Sequence, residues 1–225
     1  MLGLLYDVHG NLPALDAVLA DAGDVEQWVL GGDYALFGAW PRETVKRLRE
    51  LEAAWIRGNV ERFTASPADA PEAARAAIER NRELLGEDLV AELAALPETR
   101  RDSATLFCHG SPRSDVRSFL PAPGEDDDEL LAGVPEGVTR LVFGHTHLAF
   151  AREARGVELV NPGSVGMPFD GDHRAAYAVV TEGGAVEHRR VGYDHEASAA
   201  AVRERLGDAG EVPARRIERA SADAR

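Results

Sequence analysis

Seven residues of types that ligate metals or carry protons occupy one recurring position in this sequence. Asp7, His9, Asp33, Asn59, His109, His145 and His147 each sit where a short apolar run gives way to a glycine-containing loop. In open α/β sheets, loops of this kind at the carboxyl ends of strands are where ligand sites form. Imidazole, carboxylate and amide oxygen together suit borderline divalent ions such as Mn, Fe, Zn or Co. The single cysteine, Cys108, excludes both a thiolate-rich structural zinc site and an intramolecular disulfide. The donor set therefore points to a catalytic metal centre. Singly the signals are weaker: Asp-x-His is a common triplet, and an Asn after Gly is often a turn residue. Gly144-His145-Thr146-His147 says more, because residues two apart on an extended segment face the same side.

The elements that must position these residues can be traced from periodicity. Leu2 to Tyr6 reads as a strand, and Leu12, Leu15, Val18 and Leu19 recur at helical spacing behind the Asp7–Asn11 loop. Asn11 suits an N-cap, and Pro13 falls where the first helical turn needs no N–H. The same order returns at Trp28-Val29-Leu30 before Gly31-Gly32-Asp33, with a helical pattern at Thr44, Val45, Leu48 and Leu51. It returns again at Ala53 to Ile56 before Arg57-Gly58-Asn59, followed by two helices between about Pro71 and Leu96 that break near Gly86. Such alternation predicts βαβ units and a mainly parallel sheet. The second half shows short strands at Thr105–Cys108, Leu141–Phe143, Val157–Val160, Ala176–Val180 and Val186–Val191, with a hairpin at Gly183-Gly184. Two facing sheets with helices outside are expected. A helix near Glu196–Leu206 and a surface helix or frayed tail from Pro213 to Arg225 should close the chain, packed on or trailing from the same domain.

Composition sets the limits. A chain of 225 residues allows one sizeable domain, and 25 Lys+Arg against 39 Asp+Glu give a formal charge of −14. That charge opposes nonspecific attraction to nucleic-acid phosphate or anionic lipid, so a dedicated nucleic-acid coat protein is not expected. There is no apolar run long enough to span a bilayer and no leader-like start, so a cytoplasmic location is expected. The acidic run Glu125–Glu129 reads as a solvated loop or helix start.

The ordered series Asp-Val-His-Gly-Asn, Gly-Gly-Asp, Gly-Asn, Cys-His-Gly-Ser and Gly-His-Thr-His resembles the calcineurin-like metallophosphoesterase superfamily. Within it the chain is similar to bacterial single-domain phosphoesterases that carry an Asn-Pro-Gly-Ser-Val-Gly stretch, here Asn161 to Gly166. The resemblance covers about residues 1 to 195. It implies a four-layer α/β/β/α fold in which two mixed sheets are flanked by helices. It also implies two divalent ions, Mn first, then Fe, Zn, Co or Ni. One would be bound by Asp7, His9, Asp33 and His147, the other by Asp33, Asn59, His109 and His145, with Asp33 bridging. Such a pair holds a hydroxide for in-line attack on phosphorus, which makes Asp33, Asn59 and His109 the central catalytic positions.

Asn11, Ser111 and Arg113 are candidates for contacting substrate oxygens, whereas Arg57 is expected to face solvent or a carboxylate. Many relatives place a histidine after the Gly-Asn pair, but this chain reads Gly58-Asn59-Val60-Glu61, and Val60 cannot donate a proton. Glu61 reads as a surface or helix-starting acid. Phe169 and Asp170 stand where similar sequences often carry arginine, which casts doubt on a basic substrate contact there. Tyr34, Phe37, Trp40 and Phe63 either wall the pocket or pack the loops, and His173, His188 and His195 lack ligand spacing. The favoured activity is hydrolysis of a small phosphodiester or nucleotide. The alternatives are a phosphomonoesterase, then a nuclease, then a non-catalytic metal-binding interaction protein; homo-oligomerisation stays open.

Overall fold

The computed structural model describes residues 1–223, so the end of the expected tail, at Arg225, lies outside the described residues. Three βα turns open the chain. Strand β1 (Leu2–Leu5) leads to helix α1 (Leu12–Ala22), β2 (Gln27–Leu30) to α2 (Pro41–Leu48), and β3 (Glu52–Trp55) to α3 (Asn59–Ala65). Asn11 caps α1 by accepting from the Ala14 N–H at 3.4 Å. Helices α4 (Arg75–Leu85) and α5 (Glu87–Ala94) follow, separated by Gly86 at φ 79°. Then come β4 (Thr99–Asp102), β5 (Thr105–Cys108), α6 (Asp127–Leu131), β6 (Arg140–Val142), β7 (Phe150–Ala154), β8 (Val157–Asn161), β9 (Ala175–Val180) and β10 (Val186–Val191). The chain ends in α7 (His195–Leu206) and α8 (Glu211–Arg219).

The ten strands form two five-stranded sheets, ordered β10-β9-β1-β2-β3 and β4-β5-β6-β8-β7. Both are mixed. In the first, β1, β2 and β3 run parallel while β9 and β10 are antiparallel additions. In the second, β5, β6 and β8 run parallel between the antiparallel edges β4 and β7. Leu4, Tyr6, Val29, Ile56, Phe107, Val142 and Val160 pack where the sheets face each other. Each such fully buried side chain contributes about 1.5 to 3 kcal/mol. The outer face of the first sheet packs on α1, α2 and α5 through Leu15, Val18, Val45, Leu48 and Leu93, and the second is covered around α6 by Phe119 and Leu130.

Four elements depart from the sequence expectation. Helix α3 begins at Asn59 itself, because Gly58 is extended and the Glu61 side chain accepts from the Gly58 N–H. Strands β4 and β7 are sheet edges: Thr99–Asp102 is exposed throughout, so it carries no apolar signal. The expected surface helix or tail after Pro213 is instead a packed helix, with Pro213, Ala214 and Ile217 buried and Ala214 and Ile217 clustered with Ala39, Met167 and Val202.

Candidate metal centre

The seven expected ligands come together, and the topology explains why. Asp7 and His9 leave the carboxyl end of β1, Asp33 that of β2 and Asn59 that of β3, while His109 follows β5 and His145 and His147 follow β6. Parallel strands in two facing sheets therefore deliver their C-terminal loops to one edge of the sandwich. The potential ligand atoms fall into two groups, Asp7–His9–His147 and Asp33–His109–His145, each drawn within 4.8 Å. Asp33 lies between them: its Oδ2 is 3.8 Å from His9 Nε2, and its Oδ1 is 3.3 Å from His109 Nε2.

The outward-facing atoms fix what faces inward. Hydrogen bonds to backbone carbonyls assign Nδ1–H as donor in three imidazoles: His9 to Leu36 at 2.9 Å, His109 to Gly31 at 2.8 Å and His147 to Met167 at 2.6 Å. Each Nε2 is then turned into the centre. His9 Nε2 and His147 Nε2 stand 3.1 Å apart, and Asn59 Oδ1 stands 3.0 Å from His109 Nε2 and 2.9 Å from His145 Nδ1. Asp7 Oδ1 is buried without a hydrogen-bond partner, 3.4 Å from His147 Nε2. Acceptors facing acceptors repel unless a cation or proton lies between them. As a hydrogen-bonding group alone, the Asn59 amide would be better satisfied reversed, donating to both imidazoles. Its oxygen-inward orientation is the one that a shared cation requires. The donor set and the orphaned carboxylate oxygen both fit a divalent metal.

Charge is distributed unevenly across the centre. Burial pushes the Asp33 carboxyl upward, but the His109 charge and hydrogen bond outweigh it and hold the group well below the usual carboxylate range. Burial opposes the charged form of His109, yet Asp33 and then Asp7 raise it to about 10. His9 is pushed down to about 4 by burial and then by His147. Metal-free, the centre is built around an Asp33–His109 ion pair beside a neutral His9.

Five of the seven ligands hold left-handed backbone: Asp7, His9, Asp33, His145 and His147 have φ between 49° and 68°. Non-glycine residues adopt this region rarely, at a cost of about 1–3 kcal/mol each, and they do so where surrounding structure enforces it. Much of that structure comes from the Asn161–Gly166 stretch. Asn161 donates to Gly144 O and Thr146 Oγ1, Ser164 Oγ donates to Asp7 O at 2.7 Å, and Val165 and Gly166 N–H groups reach Tyr6 O and Asp7 O. Gly144 is needed for close approach, since a Cβ there would lie 2.5 Å from Asp7 Oδ2.

Glu61 is a helix-starting acid, in the first turn of α3, but it is buried rather than at the surface, and its role was not read from the sequence. It is 3% exposed, and its carboxylate accepts from the N–H groups of Asp33, Tyr34 and Gly58 at 2.8–2.9 Å, lacing two ligand loops together. Burial, then the Asp33 charge, raises its carboxyl to about 7. The available signal was the capping-box spacing from Gly58. Val60, 2% exposed, donates its backbone N–H to Asp33 Oδ1 at 2.9 Å.

The proposed substrate contacts are scattered. Asn11 is buried, donating to Gly166 O and Tyr193 Oη and accepting from Ser198 Oγ, so its amide is fully engaged in packing. Ser111 closes a tight turn with Ser114, and Arg113 is exposed beside it on a cleft that His109 also lines. Arg57 pairs with Glu98 and donates to Ala94 O. Of the four aromatics, Phe37 lines the opening above the ligands, whereas Tyr34 is core, its hydroxyl donating to the Leu30 and Ile56 carbonyls.

Residues 1–184 match the calcineurin-like phosphoesterase superfamily domain, and with this fold and ligand geometry the chain belongs to that metal-dependent superfamily. It is similar to a metallophosphoesterase from Sphaerobacter thermophilus, 28% identical with a TM-score of 0.81 over 97% of this chain and 98% of that one. It is also 28% identical over 221 residues to the uncharacterized protein MJ0912 of Methanocaldococcus jannaschii, covering 86% of this chain and 88% of that protein. The hypothetical protein PH1004 from Pyrococcus horikoshii OT3 shares the fold, with a TM-score of 0.81 at 22% identity over 94% of this chain and 96% of that one.

Proposed function

We propose that the protein hydrolyses small phosphate esters, diesters or nucleotides preferred, at a centre that holds two divalent ions, Mn favoured. The observation that carries this reading is the pair of adjacent ligand groups with Asp33 between them, 3.8 Å from His9 and 3.3 Å from His109. Two such ions supply Lewis acidity, an activated nucleophile and a clamp on the oxygens of an in-line displacement. The chain's own residues set the geometry. Asp7, His9 and His147 would hold one ion, Asn59, His109 and His145 the other, and Asp33 would contact both. The backbone carbonyls of Leu36, Gly31 and Met167 fix the imidazole tautomers, and the Val60 N–H orients the Asp33 carboxylate.

Metal analysis of the purified protein, with a panel of mono- and diesters assayed under Mn, Zn, Mg and Fe, tests the reading. Two ions per chain and chelator-sensitive hydrolysis are expected. Asp33→Asn removes the charge that faces both ions, so both should weaken, whereas His147→Ala should mainly deplete one. Full occupancy and normal turnover in Asp33→Asn would remove the bridging assignment.

A further inference from the structure

We propose that Arg216, on the last helix, is the anion-binding residue of this site, its guanidinium taking the non-bridging oxygens of the phosphate group presented to the ligand cluster. A cleft of about 180 Å³ opens over His9, Asp33, Asn59, His145 and His147, and Arg216 is the cationic side chain on its wall. Its guanidinium lies over the Phe169 ring, 5.8 Å from the centroid, and the other side of the connection is the ligand itself: Phe169 stacks on His147 at 4.3 Å and 16° from parallel. Met167, two residues earlier, accepts the His147 Nδ1–H. One short segment thus holds a metal-ligating imidazole and seats the arginine beside it.

Among the described residues, Arg216 differs from Arg203, Arg205 and Arg215 in having no carboxylate partner. Arg203 pairs with Glu211 and Glu218, Arg215 with Glu211, and Arg205 with Glu43. Among the described residues, Arg216 has no carboxylate at ion-pair distance, and its Nε is buried without a hydrogen-bond partner. Burial works against its charge, and Asp223 offsets this only in part. A half-buried guanidinium on the wall of a cleft above metal ligands, with no carboxylate at ion-pair distance among the described residues, is suited to an incoming anion, and its planar fork matches phosphate oxygens. Helix α8 is fixed in place for this by Pro213, Ala214 and Ile217. The residue lies beyond the stretch that matches the superfamily domain, residues 1–184.

The inference rests on reading the centre as a phosphate-ester site, and the experiment separates the two. Inorganic phosphate is titrated calorimetrically into the Mn-loaded full chain and into Arg216→Gln, Arg216→Ala and Arg216→Lys, with metal content and melting temperature recorded for each. Expected are unchanged metal content, phosphate affinity about ten- to a hundredfold weaker in Arg216→Gln and Arg216→Ala, and partial recovery in Arg216→Lys. If the loaded protein also hydrolyses esters, KM should rise more than kcat falls. Equal phosphate affinity in the fully loaded Arg216→Gln protein would overturn the assignment, as would metal loss or a lowered melting temperature that accounts for the whole effect. Failure of the unmodified protein to hydrolyse any ester, with phosphate affinity still dependent on Arg216, would instead defeat the hydrolase reading alone.

Discussion

At the scale of single residues, Val60 would decide how the leaving group departs in the proposed hydrolysis. It lines the opening above the ligands with an aliphatic side chain, so no proton is offered from that position. A positioned acid is typically worth roughly 10²- to 10⁴-fold. The expected outcome is a steep dependence of rate on leaving-group pKa across a series of aryl and alkyl esters, flattened in Val60→His if the imidazole reaches the cleft. A shallow dependence that Val60→His leaves unchanged, with metals retained, would show that another group supplies the proton. His109 carries a second consequence. Its folded pKa of about 10 stands above the ordinary histidine value of 6.5, so the metal-free site holds a proton there at neutral pH that a metal ligand must lose. Metal uptake at pH 7.5 should release about one proton from this residue, and affinity should rise with pH until about 10. Calorimetry in buffers of differing ionisation enthalpy measures that release; no buffer dependence would contradict the Asp33–His109 ion pair.

At the scale of elements, the start of α3 is the most sensitive junction. Glu61 satisfies three buried N–H groups at once, and unpaired buried donors cost about 1–3 kcal/mol each. Glu61→Ala should therefore lose about 3 kcal/mol or more and lower the melting temperature by roughly 10 °C, with weaker metal binding, whereas Glu61→Gln should lose less. A melting curve unchanged in Glu61→Ala would remove this role. The same junction shows where the sequence stops being readable. The cluster of seven candidate ligands was legible because each follows a short apolar strand, and the paired sheets followed from the order of those strands. Glu61 was not, since a glutamate three residues past a glycine looks the same whether it faces water or three amides. Strands β4 and β7 escaped because edge positions need no apolar face, and the packing of α8 escaped because Arg215, Arg216, Glu218 and Arg219 give it the composition of a solvated helix around only three buried positions.

At the scale of the whole molecule, the two sheets contribute unequally but jointly to one edge: Asp7, His9, Asp33 and Asn59 come from the first, and His109, His145 and His147 from the second. Among the described residues no helix is long and apolar enough to cross a membrane, and no disulfide ties the sheets, Cys108 being buried and free. Bound ions at this edge would act as a cross-link between residues distant in sequence, such as Asp7 and His147, constraining the unfolded chain as a closed loop is constrained. The opposite edge of the sandwich is held by apolar contact, strand pairing and the Arg140 side chain, which pairs with Glu158 and donates to Gly184 O in the β9–β10 turn. Chelation should consequently loosen the molecule from one end. Amide exchange in the 144–147 and 161–167 loops should quicken on metal removal, while that of Leu4, Val29 and Val142 in the strands stays slow. The sandwich would behave as a hinge whose clasp is the proposed metal pair, splaying first at the edge that carries the candidate ligands.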